Sequence, residues 1–489
     1  MFNFKRKKIL FFAVVYVFLF ILVLTLTSCD VIKEFLLKKV SLAESAFISP
    51  ENDDKDNNKG VVAEESSKDT SAEVDIKSTE SEEPNDNIIN YRVAYFDVGI
   101  SPDSNHFEHR VANIYSVNSD GSGKKLIYSD IEQDYDMGFI YNTSPDGKKI
   151  LGMLTEEGRG LYSALCVIDV LDGSLKKLVE FDYTDTEEEP VSMLGIFGSP
   201  VWSNDSLYIA YELVLNPQEN PFSGNFRDAG IYITNVNTAE SYEVEIEAGG
   251  VSARSTTFLT PVAFSPDGDE IFTVSHIYNE IIEEGEVVGF YAQNDTLYSI
   301  GLDGGIPVKI IGIEDFQGIG PEIITSFDNF KIIKNENRLL FQVLGDFEED
   351  GDLWTCSFNG SDLAKITGDG QLREQQPCVF EPASAAGKIA YIGVLRYGTI
   401  GYQASSGSVF TANTDGTGVK QLTDYQFGAA KPVFSPDGKF LAFLFSKFDE
   451  NYDYITENIV RIHNFLDGSI NEVRADGFIF DIAGWVISD

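Results

Sequence analysis

Histidine is scarce in this chain, basic residues are outnumbered two to one, and no nucleophile elbow is present. Only His106, His109, His276 and His463 occur, and only the first two, in "SNHFEHR", are close enough to share a metal ion. A spacing of three in a loop defines no metal site, and ordinary polar loop residues are the plainer reading. The absence of G-x-S-x-G excludes the strained strand-to-helix turn that carries the serine of α/β-type hydrolases. Four cysteines include Cys29 near the N-terminus, leaving Cys166, Cys356 and Cys378. An odd number cannot all pair, and their strand-like contexts favour buried thiols over a disulfide framework, with one Cys356–Cys378 bridge left open. Lys and Arg number 36 against 78 Asp and Glu, a formal charge of −42. That balance speaks against nucleic acid and against an acidic polymer held by charge alone, and suits cationic partners or divalent metal ions.

What the chain has in abundance is one kind of tight turn. "KPVFSPDGKFLAFLFS" from Lys431 returns as "TPVAFSPDGDEIFTVS" from Thr260 and, shortened, as "NTSPDGKKILGML" from Asn142. Proline presets φ for the first corner, Asp bonds nearby backbone N–H groups, and Gly accepts positive φ. In the strand that follows, Phe440, Ala442 and Leu444 lie on one face and Leu441, Phe443 and Phe445 on the other. Both faces are apolar, so this sheet must be covered on both sides by neighbours.

A second phrase, strand–turn–strand about Asp-Gly or Asn-Gly, follows each first one; "VFTANTDGTGVKQLT" from Val409 is an example. A two-residue turn of this kind is the strongest short-range hairpin signal. These turns fall at Asp120, Asp172, Asn237, Asp303, Asn359, Asp415 and Asp467, at intervals of 52, 65, 66, 56, 56 and 52 residues, with Asn237-Thr238 a weak copy. Two hairpins per period make a four-stranded sheet, and a ring of such sheets is an all-β propeller. The first unit lacks an innermost strand, while the chain ends in "IAGWVISD", a strand without a hairpin, with Trp485 placed as Trp202 is in "PVWSND". The C-terminal strand is therefore expected to complete the first blade of a seven-bladed β-propeller; six blades would follow if the third unit packed irregularly.

The phrases "FSPDGKFLAF" and "IYSVNSDGSGKKL" resemble the repeat of TolB-like propellers, which also occurs in the propeller domains of prolyl-oligopeptidase-type enzymes. The resemblance runs from about Tyr91 to Asp489 and rests on turn and core residues, so it implies fold and says little of function. Propeller-type lyases of pectate fragments resemble the repeat too, but use a histidine cluster that is not evident here.

Ahead of the repeats, Lys5, Arg6, Lys7 and Lys8 precede an apolar run from Ile9 to Leu26, the pattern of an export signal. Leu26-Thr27-Ser28-Cys29 resembles the lipobox of bacterial lipoproteins, which implies cleavage before Cys29 and a lipid on its thiol; an uncleaved anchor is the alternative. Either way the positive flank stays in the cytoplasm and the repeats lie outside it. The expected organisation is a signal peptide over 1–28, an acidic flexible tether over 29–89 and the propeller over 90–489. Between Glu51 and Asp86 there are thirteen acids, four lysines and no aromatic residue, a composition that buries too little apolar surface to fold.

No catalytic residue is assigned, and calcium is the one cofactor left open. Asp346, Glu348 and Asp350 alternate before Gly351, as in oxygen-rich calcium loops, although Ser357 stands where a closing Glu would be. The long segments between second and third strands, and between blades, share one face. They carry Phe226, Tyr278, Tyr291, Tyr397, Tyr402, Tyr452 and Tyr454 beside Asp, Asn and Gln, a mixture that suits sugar rings or protein hot spots. The expected function is a non-catalytic binding module on the outer side of the cytoplasmic membrane, held by lipid and engaging a protein or glycan partner. The competing class is a glycan hydrolase or lyase using channel carboxylates and a metal ion.

Overall fold

A computed structural model describes residues 90–488, apart from the segments 101–109, 132–134, 157–161, 181–194, 216–227, 248–256, 284–285, 318, 320–323, 346–350, 369–371, 382–386, 396–406, 425–427, 449–454 and 476. The described strands form seven four-stranded antiparallel sheets. Six are consecutive in sequence, with innermost strands Tyr135–Thr143, Gly195–Trp202, Thr257–Phe264, Ile324–Ile333, Leu372–Phe380 and Gly428–Phe434 in blades two to seven. Blade one is composite: Phe478–Ile487, the last strand of the chain, pairs with Tyr91–Ile100, the first. Arg110–Asn118 and Lys125–Ser129 complete it. The third unit, built on Gly195–Trp202, is an ordinary four-stranded blade, which removes the six-bladed alternative.

The ring closes because second strands such as Phe440–Phe448 bury apolar residues on both faces. Seven separate hydrophobic clusters each bridge two successive blades, and no interface is missing. In blade seven, Ala442 and Leu444 pack toward blade one. Leu441, Phe443 and Phe445 pack toward blade six, as the alternation predicts. Each of these buried Leu and Phe side chains stabilises the fold by about 1.5–3 kcal/mol. At the closure, Trp485 is buried in the blade seven–blade one cluster and its indole N–H donates to the Val433 carbonyl at 3.0 Å.

Cys166, Cys356 and Cys378 are free, buried thiols, so the open Cys356–Cys378 bridge does not form. Cys356 belongs to the seam of blades four and five and Cys378 to that of blades six and seven. Burial pushes each thiol up to about 12.

Candidate functional site

Antiparallel order sends the turns within hairpins to one face and the ends of second and third strands to the other. On the turn face the recurrent Asp residues are engaged locally. The hydroxyls of Ser144, Ser203, Ser265 and Ser435 donate to the carboxylates of Asp146, Asp205, Asp267 and Asp437 at 2.5–2.7 Å. The same hydroxyls accept from the backbone N–H groups of Lys149, Tyr208, Glu270 and Phe440. The outer turns repeat the device, with the Ser122 and Thr417 hydroxyls donating to Asp120 and Asp415 at 2.6 Å. These bonds hold the exposed carboxyls of Asp120 and Asp415 below the usual range. Their role is to set turns, as carboxylates accepting several bonds do.

The groups with unusual chemistry are buried between blades. Glu212 lies on Tyr208–Leu215, the second strand of blade three, and faces blade four, where the Thr260 hydroxyl donates to its Oε2. It is 2 % exposed. Burial, partly offset by that hydroxyl, pushes its carboxyl up to about 7. A proton donor in the physiological range is thus present, but wedged in a seam where no substrate reaches it. Asp481, on the innermost strand of blade one, is raised by burial against the opposing pull of Lys431, whose ammonium pairs with it. Lys431 sits at φ 51 on a bulge of the innermost strand of blade seven, and its N–H donates to the Gln376 side chain of blade six at 2.8 Å. Three blades are thereby tied across the closure.

Among the described residues no group of three or more His, Cys, Asp or Glu is arranged to hold a metal ion. His463 is buried on the third strand of blade seven, edge-on to Phe465. Burial, together with the Lys420 charge, lowers its pKa. Of the expected binding residues, Tyr278 and Tyr291 lie on strands Glu270–Glu283 and Glu286–Gly301, one register step apart, Tyr278 opposite Ala292 and Tyr291 opposite Asn279. The stretch from His276 is therefore a long β-ribbon and not the loop expected from its glycines and polar residues. Phe226, Tyr397, Tyr402, Tyr452 and Tyr454 lie outside the described residues, as do Asp346, Glu348, Asp350, His106, His109 and Cys29.

The residue that sequence reading passed over is Glu212. Its signal was a Glu inside "YIAYELV" at the position where parallel strands carry Ile392 and Leu444.

The strand topology defines a closed seven-bladed propeller, and several solved propeller proteins resemble this chain at low identity. An oligogalacturonate lyase in complex with manganese is 13% identical, with 79% of this chain and 86% of that one covered and a TM-score of 0.46. The propeller domain of the Trilobed protease from Pyrococcus furiosus is 14% identical over 78% and 92%, with a TM-score of 0.45. TolB from Acinetobacter baumannii is 12% identical over 81% and 83%, with a TM-score of 0.36. No protein-family profile and no curated protein matches the sequence. Likeness at this level concerns the fold alone, and the blade count rests on the strand topology itself.

Proposed function

We propose that the protein is a lipid-anchored, extracytoplasmic propeller that binds a protein or glycan partner through the face where its long connections lie. The observation that carries this reading is the asymmetry of the two faces. Short turns with internally bonded Asp residues occupy one, whereas strand ends bounding segments as long as 181–194 and 216–227 open on the other. A rigid ring carrying elaborated connections is a common platform for recognition. The apolar run ending at Leu26-Thr27-Ser28-Cys29 supports the anchor, and the composition from Glu51 to Asp86 supports a tether that holds the ring off the membrane. A glycan hydrolase or lyase would need accessible acids; Glu212 and Asp481 are buried, so neither favours that reading.

The test is capture of the partner from cross-linked native membranes, followed by paired substitutions. Tyr397→Ala with Tyr402→Ala, or Tyr452→Ala with Tyr454→Ala, should weaken the captured partner by more than about 1 kcal/mol. Val419→Glu and Leu466→Glu, at exposed positions of the turn face, should leave it unchanged. The reverse outcome assigns the wrong face. For the anchor, Cys29→Ser should move the protein out of the detergent phase or stall its processing; unchanged partitioning and size refute lipidation.

A further inference from the structure

Asn359-Gly360, in "SFNGSD", is the only Asn-Gly pair in the chain, and it forms the outer turn of blade five, between strands Gly351–Ser357 and Ala364–Lys365. Four of the other outer turns have Asp where this one has Asn. There the carboxylates of Asp120, Asp172, Asp415 and Asp467 accept from the backbone N–H two residues on, at 2.9 Å. Asn359 does the same with its amide oxygen, taking the Ser361 N–H at 3.0 Å. Its side chain is exposed, and the Gly360 N–H donates to the Ser357 carbonyl at 2.8 Å. Blade five thus carries an amide where those blades carry a carboxylate.

We propose that Asn359 is a self-modification site, where the chain's own backbone expels ammonia from the side chain and water completes the conversion to a carboxylate. The Gly360 nitrogen bonds to Asn359 Cγ as the Cγ–Nδ2 bond breaks. The proton shed by the Gly360 nitrogen leaves with Nδ2 as ammonia, and a five-membered succinimide remains. Water then opens this ring at either carbonyl, giving aspartate, or isoaspartate with a main chain one methylene longer. Glycine as the second residue leaves the attacking nitrogen unshielded by any Cβ.

The fold sets the rate and tells the products apart. Attack requires the Gly360 nitrogen to leave the Ser357 carbonyl, so the reaction runs through an opened hairpin. Opening is local, because the outermost strand of blade five is two residues long and pairs only Ala364 with Thr355 and Lys365 with Trp354. A strap from the second strand opposes it: the Arg338 guanidinium donates to the Asp362 carbonyl at 2.7 Å and to the Thr355 hydroxyl at 3.0 Å. Aspartate reproduces the four carboxylate turns. Isoaspartate does not fit, since a Cβ on Gly360 would already stand 2.0 Å from the Ile310 carbonyl oxygen of blade four, which leaves no slack for a longer main chain.

The turn lies on the face opposite the long connections, so this reading and the binding reading fail separately. The full chain in detergent is incubated at pH 8, folded or in urea. The peptide holding Asn359 is followed by mass spectrometry for the mass gain of deamidation, and isoaspartate is counted by enzymatic methylation. Conversion of the folded chain is expected at a rate about tenfold or more below that in urea. Arg338→Ala should raise the folded rate about threefold or more by removing the strap. Asn359→Asp should abolish the mass gain and keep the parent Tm, and chains bearing isoaspartate should melt below it. Equal rates in the two states, a folded rate indifferent to Arg338→Ala, or a lowered Tm in Asn359→Asp overturns the proposal. So does a folded chain still unconverted after about a hundred times the half-life in urea.

Discussion

Glu212 makes the ring's stability depend on pH in a direction opposite to that of most carboxylates. Its ordinary value of 4.5 is raised to about 7 in the fold because the charged form is cut off from water. Between those values the folded chain holds a proton that the unfolded chain has released, so stability is fully present below pH 4.5 and falls as pH rises toward 7. At 1.36 kcal/mol per unit the loss is on the order of 3 kcal/mol. Glu212→Gln keeps the shape and a partner for the Thr260 hydroxyl but cannot ionise. It should therefore be close to neutral near pH 4.5 and more stable than the parent by about 3 kcal/mol at pH 8. For about 400 ordered residues, near 2.1 cal/mol/K each, that is a rise of about 3–4 °C in Tm. The assay is the Tm difference between variant and parent across pH 4.5 to 8, a comparison in which the titration of Asp130 and Asp481 cancels. A difference that stays flat with pH, or grows toward acid, refutes the assigned burial and its sign.

Trp485→Ala removes a fully packed indole from the closing seam and leaves the Val433 carbonyl without its 3.0 Å partner; a loss of about 3–5 kcal/mol is expected in denaturant melts. Ala239 holds φ 62 at a turn position where blades one, two, six and seven use glycine, so Ala239→Gly should stabilise the third blade by about 1 kcal/mol, read as a raised denaturation midpoint. Because the three buried thiols are held near 12, thiol reagents at pH 8 should label none of them until the ring unfolds; rapid native labelling of Cys166, Cys356 or Cys378 would contradict their burial.

The ring was legible in the sequence where local chemistry decides the backbone. Asp120-Gly121, Asp303-Gly304 and Asp415-Gly416 mark turns whose glycines take φ of 80, 88 and 81. Two-sided apolar strands such as Phe440–Phe448 announce a sheet covered on both faces, and the unmatched strand at the C-terminus announces the closure. Features set by distant partners were harder to see. The ribbon of blade four reads as a loop because its glycines and acids mask the alternation, although cross-strand pairing continues to Glu283 opposite Glu286. Glu212 gains its character only when Thr260, 48 residues away, meets it across a seam.

Erosion of the repeat is itself informative about which face is constrained. In blade three the Ser-Pro-Asp-Gly phrase has become Ser203-Asn204-Asp205-Ser206, and Ser206 takes the glycine-like φ of 63. A lone substitution of that kind costs about 1–2 kcal/mol. Here the intruding side chains carry compensating bonds, Ser206 accepting from Asp146 on one side and Asn204 donating to Ser265 on the other. Blade five follows the same course, with Asn337 at φ 51 and its neighbours Lys334 and Asn335 capped by Glu381. Departures from the repeat on the turn face are thus repaired by contacts with adjacent blades, which makes that face a mechanical belt in which a change in one turn is felt by the next.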